Sequence, residues 1–187
     1  MDDPSREPAD TNYALKLNML RDFHTGIYDN TTMVSVFSRS SNFEPVKVSF
    51  SSAEWCGHVY NELLFHQDEV EDRFYSYFEN ESGTRSFPRI RSGIVEDNLF
   101  ILLRGLRHEF LPAGEERSYP FLPGTFHRRL THGSLDWTQA RIQRLENPER
   151  IQVPAGTFSA IVYVIRTDEG REGRFHIEEA YPHRIVR

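Results

Sequence analysis

The sequence predicts a mainly β (α+β) domain: a large, curved antiparallel sheet or half-barrel of roughly seven to ten strands with one packed helix at about residues 93–106. Three observations lead to this fold class. Apolar and polar residues alternate in many short segments, as they do in half-buried strands. Aromatic residues make up 13% of the chain, and they favour strands. Only one segment has a helical period.

The N-terminal half contains five alternating segments separated by polar turns. A turn is expected at Asp29-Asn30, a strand break at 51–54 and an acidic turn at 67–71, because these residue types favour turns. We therefore expect strands at 13–19, 33–37, 46–50, 59–65 and 73–78.

The predicted helix is marked by one apolar stripe that follows the helical period. Ser92 is a suitable N-cap for it. The stripe would cover one face of the sheet, and it consists of Val95, Leu99, Leu102, Leu103 and Leu106.

The C-terminal part begins with a stretch rich in Pro and Gly, residues 110–134, which predicts loop with a short strand at 117–122. The segment Phe158 to Ile165 is apolar on both faces, so we place it centrally and expect the 157–178 hairpin to organise the sheet. Further strands are expected at 137–145, 151–153 and 174–178.

The domain organisation follows from length and composition. Residues 1–11 lack large apolar side chains after Met1 and predict a disordered tail or linker, whereas 12–187 predict a single β-rich domain. The polar start and the ending within an apparent strand indicate a fragment of a longer protein. Whether a signal peptide precedes Met1 in that protein is left open, and this chain shows none.

The charge and apolar pattern exclude two classes of partner. The net charge is −6, and the short basic cluster Arg85, Arg89, Arg91 is too small for a nucleic-acid surface. No apolar run approaches the ~20 residues of a transmembrane helix, so we expect a soluble domain. The one cysteine, Cys56, excludes an internal disulfide.

Several segments resemble a family of uncharacterised bacterial envelope proteins, some of which carry the name septum formation inhibitor Maf. The resemblance spans nearly the whole chain. It implies an exported or periplasmic protein whose sheet is similar to the half-barrels of lipoprotein carriers. It implies no activity, and the Ser/Arg-rich phosphate-binding start of Maf pyrophosphatases is not in this sequence. The segments are Asp22–Tyr28, Phe50–Tyr60, Val153–Phe158, Arg174–Glu178 and Ala180–Arg184.

The most distinctive cluster is Trp55-Cys56-Gly57-His58. A thiol needs a neighbouring base to act as a nucleophile, and Cys56 and His58 would share a face within a strand. We expect instead that Cys56 is buried and structural, because free cysteines are among the most buried residues. The candidate binding residues are Trp55, Cys56, His58 and Tyr60.

Metal and cofactor chemistry lack a motif. His127 and His132 are five residues apart, whereas helical metal-binding pairs are three or four apart, so we expect no metal. No dinucleotide, Walker A, nucleophile-elbow or C-x-x-C motif occurs, so we expect no cofactor.

Two functional hypotheses remain. The first is a non-enzymatic binding module of the bacterial cell envelope that holds an apolar small molecule, a lipid or a protein partner in the concave face of its sheet. The second is a hydrolase or thiol-dependent enzyme that uses Cys56 and His58 as catalytic residues. A cavity lined by apolar side chains would favour the first hypothesis, and a Cys56–His58 contact in an open cleft would favour the second.

Overall fold

The structure, a computed structural model, describes residues 13–187. This part of the chain contains twelve strands and two short α-helices, so the predicted mainly β class is confirmed. The strands form two sheets, where the sequence predicted one large sheet. The predicted tail at residues 1–11 lies outside the described residues.

The first sheet is a six-stranded antiparallel meander in which each strand pairs with the next along the chain. Short turns join its strands, so the hydrophobic alternation fixes which side chains face inward. The strands are β1 Ala14–Thr25, β2 Tyr28–Arg39, β3 Pro45–Glu54, β4 Gly57–Phe65, β5 Glu69–Tyr75 and β6 Gly83–Pro88.

The second sheet is mixed, because β7 and β8 pair in parallel and the other pairs are antiparallel. The long strand β11 pairs with β12 along one edge and with both β9 and β10 along the other. Its strands are β7 Ile94–Val95, β8 Glu116–Leu122, β9 Thr138–Arg144, β10 Glu149–Val153, β11 Gly156–Thr167 and β12 Glu172–Glu178.

The central place of β11 agrees with the prediction for the 157–178 hairpin. Val162 and Tyr163 are neighbours on opposite faces of β11, and both are buried. A strand buried on both faces reads as a continuous apolar run, as this one does.

The core lies between the two sheets and extends along the inner face of the first sheet. Met19, Val34 and Phe50 occupy one row across β1, β2 and β3 on that face. Leu102 packs against both core clusters and so connects them.

The helix predicted at 93–106 is shorter than its apolar stripe. Ile94 and Val95 form strand β7, residues Glu96–Asn98 form a 3₁₀ turn, and the helix α1 spans Leu99–Leu102. Asn98 explains part of the difference, because its side chain is buried and bonds the first sheet. Its Oδ1 accepts from Ser38 at 2.6 Å, and its Nδ2 donates to the Phe43 carbonyl at 2.9 Å.

A second helix, α2 at Thr125–Thr131, lies in the segment that was predicted as loop. It has no apolar stripe, and Phe126 packs against Phe50 of β3 with ring centroids 6.2 Å apart. Seven residues give too little periodicity for a sequence pattern to show. Within residues 13–187 no helix is long and apolar enough to cross a membrane.

Three of the predicted boundaries in the first sheet were wrong. Strand β5 begins at Glu69 and ends at Tyr75, so the acidic turn expected at 67–71 and the strand expected at 73–78 both lie too far along the chain. The turn expected at Asp29-Asn30 lies earlier, at Gly26-Ile27, where Gly26 adopts a φ of 66° that glycine allows at no steric cost. The strand β3 continues through Ser51 to Glu54, because all four residues pair with both β2 and β4.

Candidate functional site

A cavity lies between the two sheets in the described part of the chain, and we call it the inter-sheet cavity. It encloses about 550 Å³, and two other cavities enclose about 240 and 220 Å³. Small-molecule sites commonly measure about 300–1,000 Å³. Its walls come from β1, the 3₁₀ turn, α1, α2, β11 and β12. Residues that line it include Met19, Arg21, Glu96, Asp97, Leu99, Phe100, Phe126, Leu130, Ile165, Arg171, Gly173 and Phe175.

Strand alternation supplies the apolar walls. Met19 and Arg21 are two apart on β1 and share its inner face. Gly173 and Phe175 share one face of β12 in the same way. Phe175 meets Phe100 of α1 edge to face, with ring centroids 5.1 Å apart, and these rings close one side of the cavity.

A buried carboxylate forms the polar part of the cavity. Oδ2 of Asp97 accepts hydrogen bonds from the backbone N–H and the hydroxyl of Thr125, both at 2.9 Å. Burial raises the pKa of Asp97 to about 6, against the opposing effect of these two bonds. Residues 13–187 give Oδ1 no hydrogen bond, so this oxygen can accept one from a bound molecule.

The salt bridge between Glu96 and Arg171 fixes the wall next to Asp97. Two guanidinium nitrogens of Arg171 donate to the two carboxylate oxygens of Glu96, each at 2.8 Å. Glu96 also accepts a hydrogen bond from the backbone N–H of Gly124 at 2.8 Å. It therefore connects Arg171, just before β12, to the start of α2. The hydrogen bonds that Arg171 donates to Glu96 raise the pKa of Arg171, which therefore stays charged. Bidentate pairs of this kind hold a fixed geometry.

A second cation, Arg21, lies beside this pair without a carboxylate of its own among the described residues. Its guanidinium lies over the Phe126 ring, 4.9 Å from the centroid. Leu130, one turn further along α2, is 63% exposed although it is apolar. The cavity therefore combines apolar walls with one cation and one buried hydrogen-bond acceptor.

The residues singled out in the sequence lie elsewhere. Trp55 and Cys56 form the turn between β3 and β4, and Trp55 packs edge to face on Tyr28 of the neighbouring hairpin at 5.4 Å. Cys56 is exposed, so the expectation that it is buried was wrong. A two-residue hairpin turn places its side chains beyond the end of the sheet, where nothing covers this thiol.

Asn61 of β4 faces inward and bonds Asp72. Because side chains alternate along a strand, His58 and Tyr60 lie on the outer face of β4. Tyr60 donates its hydroxyl to Glu62 at 2.9 Å on that outer face. The described residues show no hydrogen bond between Cys56 and His58. The structure thus brings Trp55, Cys56 and His58 to one end of the first sheet but leaves them outside the inter-sheet cavity, and their role in binding stays a prediction.

His127 of α2 and His132 at its C-cap each lie beside a different carboxylate. His127 lies 3.3 Å from Glu169, and His132 lies 2.7 Å from Glu81. In residues 13–187 no group of three or more His, Cys, Asp or Glu side chains could hold a metal ion.

Sequence reasoning missed the residues that line the cavity. Glu96 and Asp97 lie in the segment predicted as a helix, where acidic residues near the start suit the helix dipole and indicate no site. Their partners Gly124 and Thr125 are 28 residues away, and Arg171 is 75 residues away from Glu96. Local periodicity carries no signal for contacts at such separations.

Comparison with known proteins adds a likeness in shape. No protein-family model matches the chain, and a search of curated proteins finds no match either. Among solved structures, the chain is similar to a DUF1089 family protein from Pseudomonas aeruginosa. The two share 9% identity with a TM-score of 0.45, over 96% of this chain and 89% of that chain. The resemblance to bacterial envelope proteins stays a prediction.

Proposed function

We propose that this protein is a binding module that holds a small amphipathic molecule in the inter-sheet cavity. The observation that carries the proposal is the cavity itself, with a volume of about 550 Å³ and mostly apolar walls. A large apolar pocket with a few convergent polar groups is the usual form of a ligand site.

The polar groups indicate how such a molecule would lie. Its apolar body would pack between Phe126 and Leu130 on α2 and Phe100 and Phe175 opposite them. A polar end could donate a hydrogen bond to Oδ1 of Asp97 or accept one from Arg21. Because Glu96 and Arg171 neutralise each other, Arg21 and Asp97 are the two groups left to orient this polar end.

Fluorescence of 1-N-phenylnaphthylamine, an apolar dye, tests the proposal with two leucine variants. Leu130 and Leu20 are 63% and 61% exposed, but Leu130 lines the cavity and Leu20 lies on the opposite face of β1 from Met19 and Arg21. Neither Leu→Ser change removes a buried side chain, so both variants should fold.

We expect saturable, one-to-one dye binding to the wild-type protein. Leu130→Ser should weaken it about fivefold, through lost apolar contact, and Leu20→Ser should leave it unchanged. Equal weakening by both variants, or no saturable binding by the wild type, would contradict the proposal.

A further inference from the structure

A second cavity lies on the other side of α2, between this helix and strands β4 to β6. It encloses about 220 Å³, and we call it the arginine pocket. The lining residues that matter are Phe50, Phe74, Arg85, Arg128, Arg129 and His132. It shares none of its lining with the inter-sheet cavity.

One buried carboxylate lies at the base of the arginine pocket. Asp72 is fully buried beneath it and faces two guanidinium groups, with Oδ2 at 3.0 Å from Nε of Arg85 and 2.8 Å from Nη1 of Arg128. Asn61 donates a further hydrogen bond to Oδ1 of Asp72 at 2.6 Å. One carboxylate therefore balances two arginines.

The other basic residues of the pocket have their own partners. Arg129 lies 3.0 Å from Glu54, and His132 lies 2.7 Å from Glu81. Arg85 also approaches Asp136, but at 3.7 Å and at an exposed carboxylate, where attraction is weak. Arg85 and Arg128 therefore depend mainly on the one buried carboxylate that they share.

Arg128 lines the pocket and keeps free hydrogen-bond donors there. Within residues 13–187, every hydrogen bond of the Arg128 guanidinium comes from Nη1, which donates to Asp72 and Asn61. Its Nε and Nη2 are therefore free to donate. The guanidinium plane lies over Phe74, 4.1 Å from the ring centroid. Burial lowers the pKa of Arg128, which reflects the cost of keeping this charge out of water.

We infer that the arginine pocket is a second binding site, and that it takes a small monoanionic carboxylate with a compact apolar body. A carboxylate matches the two free donors on one edge of the Arg128 guanidinium, Nε and Nη2. Phe50 and Phe74 supply an apolar wall for the body of the ligand. The inference does not depend on the function proposed for the inter-sheet cavity.

The wild-type protein allows a direct test with two probes of similar shape, benzoate and neutral benzyl alcohol, at constant ionic strength. We expect benzoate to bind saturably and to shift the ¹H–¹⁵N side-chain signals of Arg128 and Arg85 in NMR spectra, whereas benzyl alcohol should not. If benzyl alcohol or an equal concentration of chloride produces the same shifts, the inference is overturned.

Two variants separate an anion site from a purely structural network. Glu81→Gln removes a lining carboxylate that is partly exposed, and it should tighten benzoate binding about twofold or more. Arg128→Gln should weaken benzoate binding about tenfold or more, if the variant folds. Because a structural role gives no reason for Glu81→Gln to raise benzoate affinity, unchanged or weaker binding by this variant would overturn the inference.

Discussion

Asp97 and Thr125 form two hydrogen bonds with each other, from the backbone N–H and the hydroxyl of Thr125 to the same carboxylate oxygen. The contact joins the 3₁₀ turn before α1 to the first residue of α2. It therefore fixes both helical segments around the inter-sheet cavity, and it buries a carboxylate in doing so.

Burial of Asp97 should make the stability of the protein depend on pH. Its pKa is about 6 in the folded chain and 3.8 as the ordinary reference value. Between these values the folded state binds more protons than the unfolded state, so stability falls as the pH rises. Relative to Asp97→Asn, the wild-type free energy of unfolding should fall by roughly 1–3 kcal/mol from about pH 4 to pH 7. Urea denaturation at several pH values measures this difference, and a constant or rising difference would contradict it.

Asp72 should be the most sensitive charged residue of the first sheet. Its removal leaves the guanidinium groups of Arg85 and Arg128 without their shared carboxylate, so Asp72→Ala should cost about 3–5 kcal/mol. Asp136 also lies near Arg85 but is exposed, and Asp136→Ala should cost under ~0.5 kcal/mol. Chemical denaturation compares the two variants, and similar midpoints would show that the buried network contributes little.

The Cys56 thiol should react quickly with a maleimide in the native protein, since it is exposed in the turn between β3 and β4. We expect the native rate to approach the rate in denaturant. The Cys56→Ser variant gives the blank for this assay. Slow labelling that accelerates only on unfolding would show that the thiol is covered.

Val162 tests the central position of β11. Its side chain is fully buried, so Val162→Ala should destabilise the protein by about 1–3 kcal/mol. Thr157→Ala, at an exposed position of the same strand, should cost under ~0.5 kcal/mol. Glu178 is not a suitable control, because it forms a bidentate salt bridge with Arg184 at 2.7 and 2.9 Å. Equal denaturation midpoints for the Val162 and Thr157 variants would place β11 at the periphery.

The sheet was largely predictable from the sequence, but the cavity was not. Alternation around Val48 and the continuous apolar run around Val162 are local patterns, so they identified these strands without any knowledge of their neighbours. The apolar stripe from Val95 to Leu106 was misread as one helix, because it contributes to a strand, a turn and a helix that all face the same core. Division into two sheets depends on pairing over long separations, and the cavity between them depends on that division.

The proposal of a ligand in the inter-sheet cavity is tested most directly by filling the cavity with a side chain of the protein itself. Gly173 lines the cavity, and a Cβ at this position would meet no atom within 4 Å. Arg174 is exposed on the opposite face of β12, so Arg174→Trp adds an indole ring outside the cavity. Both variants should remain folded, which circular dichroism would verify.

The decisive measurement is therefore the affinity of 1-N-phenylnaphthylamine for the wild-type protein, Gly173→Trp and Arg174→Trp. We expect Gly173→Trp to lose saturable binding, because its indole ring occupies the space between Phe175 and α2, and Arg174→Trp to keep the wild-type affinity. Unchanged affinity in Gly173→Trp would show that the dye binds elsewhere and would contradict the function proposed for this cavity.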